Sequence, residues 1–172
     1  RPARTAPKLR LSQFSGIVQH DVDDQVVVVR AGTSIAELQS ELAKTGQCLP
    51  LPDPRLGAPA NGFQGTVGGL IASNLPHVLS AQHGGPREWV LGLTVVRADG
   101  TVFKCGSKAV KSVAGFDVHK LMTGSRGTLG VIAEAILRTW PLRAVRAPEH
   151  TLEIPYTIEP LWIQRVLRSD FD

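Results

Sequence analysis

A run of four valines at positions 26–29 is the feature that most limits how this 172-residue chain can fold. Valine is stiff at χ1 and favours strands, and a run without polar alternation indicates a strand covered on both faces. Ala31-Gly32-Thr33 then turns the chain, and Ser34 and Glu37 have the spacing of a capping box. The sequence therefore predicts a buried strand, a tight turn and a helix. The residues expected on the buried face of that helix are Ile35, Leu38 and Leu42.

The rest of the chain combines hairpin signals with isolated helices. Four prolines between positions 49 and 65 exclude regular structure there. Asp99-Gly100 is a hairpin turn signal between strands predicted at 89–97 and 101–105. The stretch 131–139 favours a strand, although its alanine and glutamate leave a helix open. This order lacks the regular strand–helix alternation of a doubly wound sheet, so the prediction is an α+β fold.

A short helix is predicted at 115–123, with Val118, Leu121 and Met122 facing inward. Beyond it, the sequence predicts a strand at 151–158 and a helix at 159–168.

Composition and charge narrow the functional classes. The formal net charge is +4, but no aromatic residues are interleaved with the basic ones, so a solvated surface is favoured over nucleic-acid binding. Cys48 and Cys105 form no close pair, which excludes a CxxC motif and favours buried or half-buried thiols in a reducing compartment. No apolar run reaches the ~18 residues of a membrane helix, and no signal peptide is visible. His77, His83 and His119 lack metal-ligand spacing, so no metal site is predicted.

Two glycine-rich loops are the candidates for chemistry. Thr66-Val67-Gly68-Gly69 opens an apolar helix, and Gly124-Ser125-Arg126-Gly127-Thr128-Leu129-Gly130 precedes the stretch 131–139. Glycine lets backbone N–H groups approach a dinucleotide pyrophosphate closely. Neither loop has the Rossmann or Walker A pattern, and either one alone is more often ordinary turn chemistry. The catalytic residues stay unknown, because no nucleophile–base pair or carboxylate pair is legible.

Taken together and in order, four stretches resemble a known family. They are TVGGLIASN at 66–74, GPREWVLG at 85–92, KSVAGFD at 111–117 and GSRGTLGVI at 124–132. This series resembles the FAD-binding domain of the vanillyl-alcohol oxidase and p-cresol methylhydroxylase superfamily. The KSVAGFD stretch is most similar to the FAD-binding subunit of bacterial glycolate oxidase. The resemblance runs from about Leu11 to about Arg143.

The resemblance implies FAD as the cofactor and a set of residues that would bind it. Gly69 and Gly130 are the positions at which a side chain is expected to displace the cofactor. The implied cofactor-binding residues are Thr66, Val67, Gly68, Gly69, Ala72, Ser73, Asn74, Gly115, Gly124, Ser125, Gly127, Thr128, Gly130, Val131 and Ile132. There are two departures from the family pattern. Nothing before Gly32 resembles the family's N-terminal glycine loop, and Arg126 stands where many relatives have an acidic residue.

The resemblance also implies a function and an organisation. Residues 1–146 would be an FAD-binding domain without a recognisable N-terminal glycine-loop subdomain, and residues 147–172 the start of a cap domain or extension. The implied function is that of an FAD-binding subunit of a complex that oxidises glycolate or a related 2-hydroxy acid. Its implied partners are a catalytic flavoprotein subunit and an iron–sulfur subunit. The implied location is the cytoplasm. Whether partners also hold the chain at the inner face of the membrane is left open. The alternative is a degenerate, non-catalytic homologue that acts as an assembly subunit.

Overall fold

The computed structural model describes residues 9–11, 13–56, 64–108 and 117–146. Strands and short helices alternate irregularly along these ranges. The strands are β1 (Ile17–Asp21), β2 (Val26–Arg30), β3 (Gln47–Cys48), β4 (Val90–Val96), β5 (Val102–Gly106), β6 (Val131–Arg138) and β7 (Trp140–Pro141). The helices are α1 (Ile35–Lys44), α2 (Val67–Ser73), α3 (Ser80–His83), α4 (Pro86–Trp89) and α5 (Val118–Met122), and 3-10 turns lie at Pro54–Leu56 and Leu142–Ala144.

Five of the strands form one antiparallel sheet in the order β1-β2-β6-β4-β5. Strand β6 lies at its centre, where Ile136 is in register with Val28 of β2 and with Gly92 of β4. Strands β3 and β7 pair separately, with Cys48 opposite Trp140. The stretch 131–139, for which the sequence leaves strand and helix open, is therefore a strand in the middle of the sheet.

Strand β2 is buried on both faces, as its valine run predicts. All four valines are at most 7% exposed. Val27 and Val29 belong to the main hydrophobic core together with Leu38 of α1 and Ile71 of α2. Because side chains alternate along a strand, Val26 and Val28 lie on the other face of the sheet.

Helix α1 begins and ends where the sequence predicts. The Ser34 hydroxyl accepts a hydrogen bond from the Glu37 amide at 3.1 Å, and Gly46 follows the helix with a φ of +70°. The buried apolar residues of α1 are Ile35, Leu38 and Leu42, as predicted. Burial of this face fixes the helix on the sheet.

Two features differ from the expectations. Strand β1 pairs antiparallel with β2, although its sequence IVQHD gave no strand prediction. Leu121, expected to face inward, is 64% exposed, whereas its neighbour Met122 is buried. Helix α5 has only five residues, too few for a helical periodicity to identify its buried face. The segments predicted at 151–158 and 159–168 lie outside the described residues.

The thiols agree with expectation, since Cys48 is buried, Cys105 is half-buried and neither forms a disulfide. None of the helices in the described ranges has the length and apolar character that crossing a membrane requires.

Candidate functional site

The start of α2 lies directly on the turn that follows β2. The amides of Val67 and Gly68 donate to the carbonyls of Thr33 (2.9 Å) and Ala31 (2.8 Å). A β-carbon on Gly68 would lie 2.9 Å from the Ala31 Cβ and 3.2 Å from its carbonyl oxygen. The approach of α2 to the turn therefore requires glycine at position 68.

Thr66 caps the same helix. Its Oγ1 accepts a hydrogen bond from the Gly69 amide at 3.2 Å, and its backbone forms a bridge with Ser34. The cap satisfies one of the amides that a helix start leaves without an internal partner. The predicted glycine turn opening into a helix is thus confirmed.

The second glycine loop, residues 124–130, binds to the opposite end of α2. The Gly124 amide donates to the Ile71 carbonyl and the Arg126 amide to the Ala72 carbonyl, both at 2.9 Å. Carbonyls in the last turn of a helix lack internal partners, and these bonds supply them. The two loops, more than fifty residues apart in sequence, therefore form one structural unit around α2.

The backbone of the second loop is unusual. Arg126 has a φ of +53°, which costs a non-glycine residue about 1–2 kcal/mol. Gly127 has a φ of +79° with open space around its missing side chain. Gly130 differs, because a β-carbon there would lie 2.9 Å from Val95 Cγ1 and 3.0 Å from the Val96 carbonyl oxygen. Packing on β4 is therefore enough to require glycine at position 130.

Together the two loops enclose a pocket of about 250 Å³ between α2 and the start of β6, called here the interloop pocket. Its lining consists of Leu11, Ala31, Thr66, Gly68, Gly69, Ala72, Arg126, Gly127, Gly130, Val131 and Ile132.

Most of the residues expected to bind the cofactor meet at this pocket. Eight of the fifteen line it, namely Thr66, Gly68, Gly69, Ala72, Gly127, Gly130, Val131 and Ile132. Six others do not line it, namely Val67, Ser73, Asn74, Gly124, Ser125 and Thr128. Gly115 lies outside the described residues. As cofactor contacts, all fifteen stay predictions.

Several residues that do not line the pocket have structural roles. Val67 is fully buried in the core, and Asn74 ends α2 in the left-handed conformation. The hydroxyls of Ser73 and Thr128 donate to the carbonyls of Leu70 (3.2 Å) and Ser125 (2.7 Å). These roles explain why serine, threonine and asparagine occur here without a ligand.

Sequence reasoning missed three residues of the lining. Ala31 directly follows β2, and Leu11 precedes every element that the sequence predicts. Arg126 is a departure from the family pattern whose charge either meets a phosphate or faces solvent, and it is absent from the predicted cofactor-binding residues. Only its place inside a glycine loop could have identified Arg126, and nothing in the sequence identifies Leu11.

The chemistry of the lining suits a ligand that is both apolar and anionic. Arg126 is the one charged side chain among the described lining residues. The Gly127 amide makes no hydrogen bond to another described residue, so it is available to an acceptor. Side chains such as Leu11 and Ile132 add apolar surface. No cluster of metal-ligating side chains occurs in the described part of the chain.

Comparison with known proteins assigns this site to a family. Residues 5–106, more than half of the chain, match the model of a family described as FAD binding domain. The chain belongs to this family of FAD-binding domains. The matched range includes the first glycine loop, all of α2 and the strands β1, β2, β4 and β5.

Named relatives of the FAD-binding domain include subunits of oxidoreductases. The chain is 34% identical over 137 residues to glycolate oxidase subunit GlcE of Escherichia coli (strain K12), which is 80% of this chain and 38% of that protein. It is 36% identical over 121 residues to a D-lactate dehydrogenase of Archaeoglobus fulgidus, which is 70% of this chain and 26% of that protein. It is also 32% identical over 133 residues to glycolate oxidase subunit GlcD of Bacillus subtilis (strain 168), 77% of this chain and 27% of that protein. The chain thus spans less than two fifths of the length of each relative.

A solved structure supports the fold. An alkyldihydroxyacetonephosphate synthase superposes with a TM-score of 0.60 and 22% identity, over 77% of this chain and 22% of that one. At this identity the likeness concerns the fold alone. The predicted α+β FAD-binding fold of the p-cresol methylhydroxylase type is confirmed.

The residues present fit part of an FAD molecule. Pockets that enclose a drug-sized ligand have volumes of about 300–1,000 Å³. The interloop pocket, at about 250 Å³, is smaller and can take only one portion of a ligand as large as FAD. Within that portion, glycine backbone permits close approach, the apolar walls fit a ring or ribose face, and Arg126 fits phosphate charge.

Proposed function

We propose that this chain is the FAD-binding part of an oxidoreductase subunit that oxidises glycolate or a related 2-hydroxy acid. The observation that carries the proposal is the interloop pocket, because it unites two glycine loops that are distant in sequence. The relatives support the substrate class, since they include glycolate oxidase subunits and a D-lactate dehydrogenase.

The proposed roles of the chain's residues are binding and orientation. Backbone at Gly68, Gly69, Gly127 and Gly130 would lie against the cofactor, and Arg126 would balance its negative charge. Bound FAD would supply the acceptor for a hydride equivalent from the 2-hydroxy acid. No residue of the chain is assigned a catalytic role.

Titration of the chain with FAD, followed by quenching of flavin fluorescence, tests this assignment. The informative variant is Gly127→Leu, because residue 127 lines the pocket and a leucine there competes with the ligand for space. The matched control is Gly100→Leu in the β4–β5 hairpin. Both glycines have a φ near +80° and open surroundings, so the backbone strain is similar. We expect Gly127→Leu to weaken FAD binding about tenfold or more, about 1.4 kcal/mol, while Gly100→Leu binds as the wild type does.

Equal FAD affinity in the two variants would contradict the pocket assignment. A wild-type chain that binds no FAD, alone or with its partners, yet still assembles would favour the non-catalytic assembly subunit instead.

The proposal extends to organisation and location. Residues 1–146 would form the FAD-binding domain, and residues 147–172, outside the described ranges, would begin a cap that supplies substrate contacts. The partners would be a catalytic flavoprotein subunit and an iron–sulfur subunit. The chain would lie in the cytoplasm, and at the inner face of the membrane where these partners bind the membrane. Co-purification of a tagged chain from its native source, with spectroscopy for flavin and iron–sulfur absorption, tests this arrangement.

A further inference from the structure

A second cavity, of about 810 Å³, lies away from the interloop pocket and is called here the basic groove. Its charged rim is formed by Arg55, Arg143 and Arg146, and its apolar floor by Leu56, Leu142 and Val145. Nothing in the FAD assignment uses this groove.

The basic groove and the interloop pocket lie at opposite ends of β6. Val131, at the start of the strand, lines the pocket, and Leu142, shortly after its end, lines the groove. Eight strand residues at ~3.3 Å each separate the two sites by about 25 Å. Exposed charges are largely screened beyond ~8 Å at physiological ionic strength, so the groove arginines do not act on a ligand in the pocket.

The groove is a preformed surface. Leu56 and Val145 are buried in a small hydrophobic cluster with Cys48 and Leu79. The amide of Leu142 donates to the carbonyl of Gly46 at 2.8 Å, next to the β3–β7 ladder. A partner that binds here would therefore not have to order this backbone first.

Gln47 holds the wall of the groove to the main sheet. Its Oε1 accepts from the Thr139 hydroxyl at 2.6 Å, and its Nε2 donates to the Val22 carbonyl at 2.6 Å. The side chain is thus fixed by the strand ends around it, and the groove keeps its shape without a ligand.

The charge of the groove is unbalanced. Arg55 is neutralised by Asp53, whose carboxylate accepts from its Nε at 2.9 Å and from an Nη at 2.7 Å. Arg143 and Arg146 are exposed, and within the described ranges neither has an ion-pair partner. The described residues that line the groove include no aspartate or glutamate. Two guanidinium groups beside an apolar floor are complementary to a segment that carries carboxylates next to an apolar side chain.

We propose that the basic groove is the docking surface for an acidic, leucine-containing segment of a partner subunit. An apolar centre with arginines at its edge has the composition of a protein interface, where arginine is enriched and an apolar side chain anchors the contact. Arg143 and Arg146 are both exposed, so an extended polypeptide on the groove can reach the two of them at once. The inference does not depend on FAD occupying the interloop pocket.

The test uses the whole chain and a fluorescein-labelled peptide in which leucines alternate with pairs of glutamates, followed by fluorescence anisotropy. We expect binding that weakens as salt is added, and a loss of about tenfold in affinity for the double variant Arg143→Glu, Arg146→Glu. The matched control is Arg97→Glu, Lys104→Glu on the β4–β5 hairpin. It makes the same change in net charge at exposed residues outside both cavities and should bind the peptide nearly as the wild type does. Thermal melting verifies that both double variants are folded.

Three results would overturn the proposal. The first is an equal loss in the two double variants, which would show a nonspecific charge effect. The second is equal binding of a peptide with glutamine in place of glutamate. The third is full displacement of the peptide by inorganic phosphate, with a titration curve that fits one phosphate per chain. That result would show a site for a small anion instead of a polypeptide. FAD titration of the same variants separates this test from the proposed function, because the groove variant should keep wild-type FAD affinity.

Discussion

Lys108 Nζ lies 2.9 Å from Asp21 Oδ2, so an ion pair joins residues that are 87 positions apart. Asp21 ends β1, and Lys108 follows β5. These two strands are the outer members of the sheet order, and the pair therefore connects opposite edges of the sheet. It is a tertiary contact that neither local sequence could predict.

This ion pair makes the chain sensitive to acid. The hydrogen bond from Lys108, followed by one from Gln19, lowers the pKa of Asp21 below its usual 3.8. A carboxyl group with a lowered folded pKa contributes stability above its unfolded pKa and loses that contribution as pH falls through the folded value. We expect Asp21→Asn to remove a small part of the stability loss below about pH 4, measured by thermal melting across that range. The effect is small because solvent screens an exposed pair.

The control for this prediction is Lys108→Met. It should remove most of the same acid-dependent component and leave the part due to the Gln19 hydrogen bond, while the double variant should match Asp21→Asn. An unchanged melting profile in Asp21→Asn would contradict the role of the pair.

His77 gives a second source of acid sensitivity, which acts at higher pH. Neither of its ring nitrogens has a hydrogen-bond partner in the described part of the chain, and burial lowers its pKa from 6.5 to about 4. Between pH 6.5 and about 4, His77 therefore binds a proton in the unfolded chain but not in the folded chain. Stability should be complete above pH 6.5 and should fall as the pH drops from 6.5 to about 4.

Replacing His77 with phenylalanine tests this directly. His77→Phe should flatten the melting temperature between pH 6.5 and about 4, and should cost little at neutral pH because no hydrogen bond is lost. His83→Phe is the control. It removes the neighbouring imidazole but should keep most of the slope, since desolvation is the larger cause of the shift at His77. A His77→Phe slope as steep as that of the wild type would argue against the shift.

Two glycines of the second loop, Gly127 and Gly130, should differ in how much stability is lost when each is replaced with alanine. At Gly130 an added methyl group meets Val95 and Val96 at 2.9 and 3.0 Å, and overpacking of this kind costs about 1–3 kcal/mol. Both glycines have a positive φ, +154° at Gly130 and +79° at Gly127, but at Gly127 nothing lies within 4 Å of the added methyl group. Gly130→Ala should therefore unfold at lower urea than Gly127→Ala. Equal midpoints in the two variants would show that β4 moves to accept the side chain.

The comparison between these glycines shows where sequence reasoning ends. The pattern of residues 124–130 indicates a glycine loop and cofactor binding, but it treats Gly130 as a cofactor contact. In the structure, packing on β4 and a φ of +154° already explain glycine at position 130, and its cofactor contact stays a prediction. The valine run and the face of α1 were predictable because burial leaves a local pattern, an unbroken apolar run in β2 and a helical period in α1. Leu11 and Ala31 were not, because their place in the pocket depends on loops far along the chain, and β1 was not, because its sequence IVQHD has no clear strand pattern.

Glycolate turnover by the isolated chain should be absent or very slow. The chain spans 38% of the length of GlcE, and no acid–base pair is legible in its sequence. The measurement is reduction of an artificial electron acceptor in the presence of FAD and glycolate, with free FAD as the blank. Turnover above that blank would show that the residues of this chain suffice for the chemistry.

FAD should bind more tightly when the chain is in a complex than when it is alone. The interloop pocket takes only a portion of FAD, so the remainder needs contacts outside this pocket, and a partner can supply those that the chain itself does not make. Each missing charge-assisted hydrogen bond is worth about 1.5–3 kcal/mol, which corresponds to a loss of about tenfold or more in affinity. A partner can also order the pocket loops in advance and so remove an entropic cost of binding.

Calorimetric titration with FAD, with and without co-expressed partners, should give a Kd at least about tenfold lower for the complex. Arg126→Gln should raise both Kd values, because its contact belongs to this chain in either state. If the complex and the isolated chain bound FAD equally, the interloop pocket would be sufficient by itself, and this FAD-binding domain would act without help from partners.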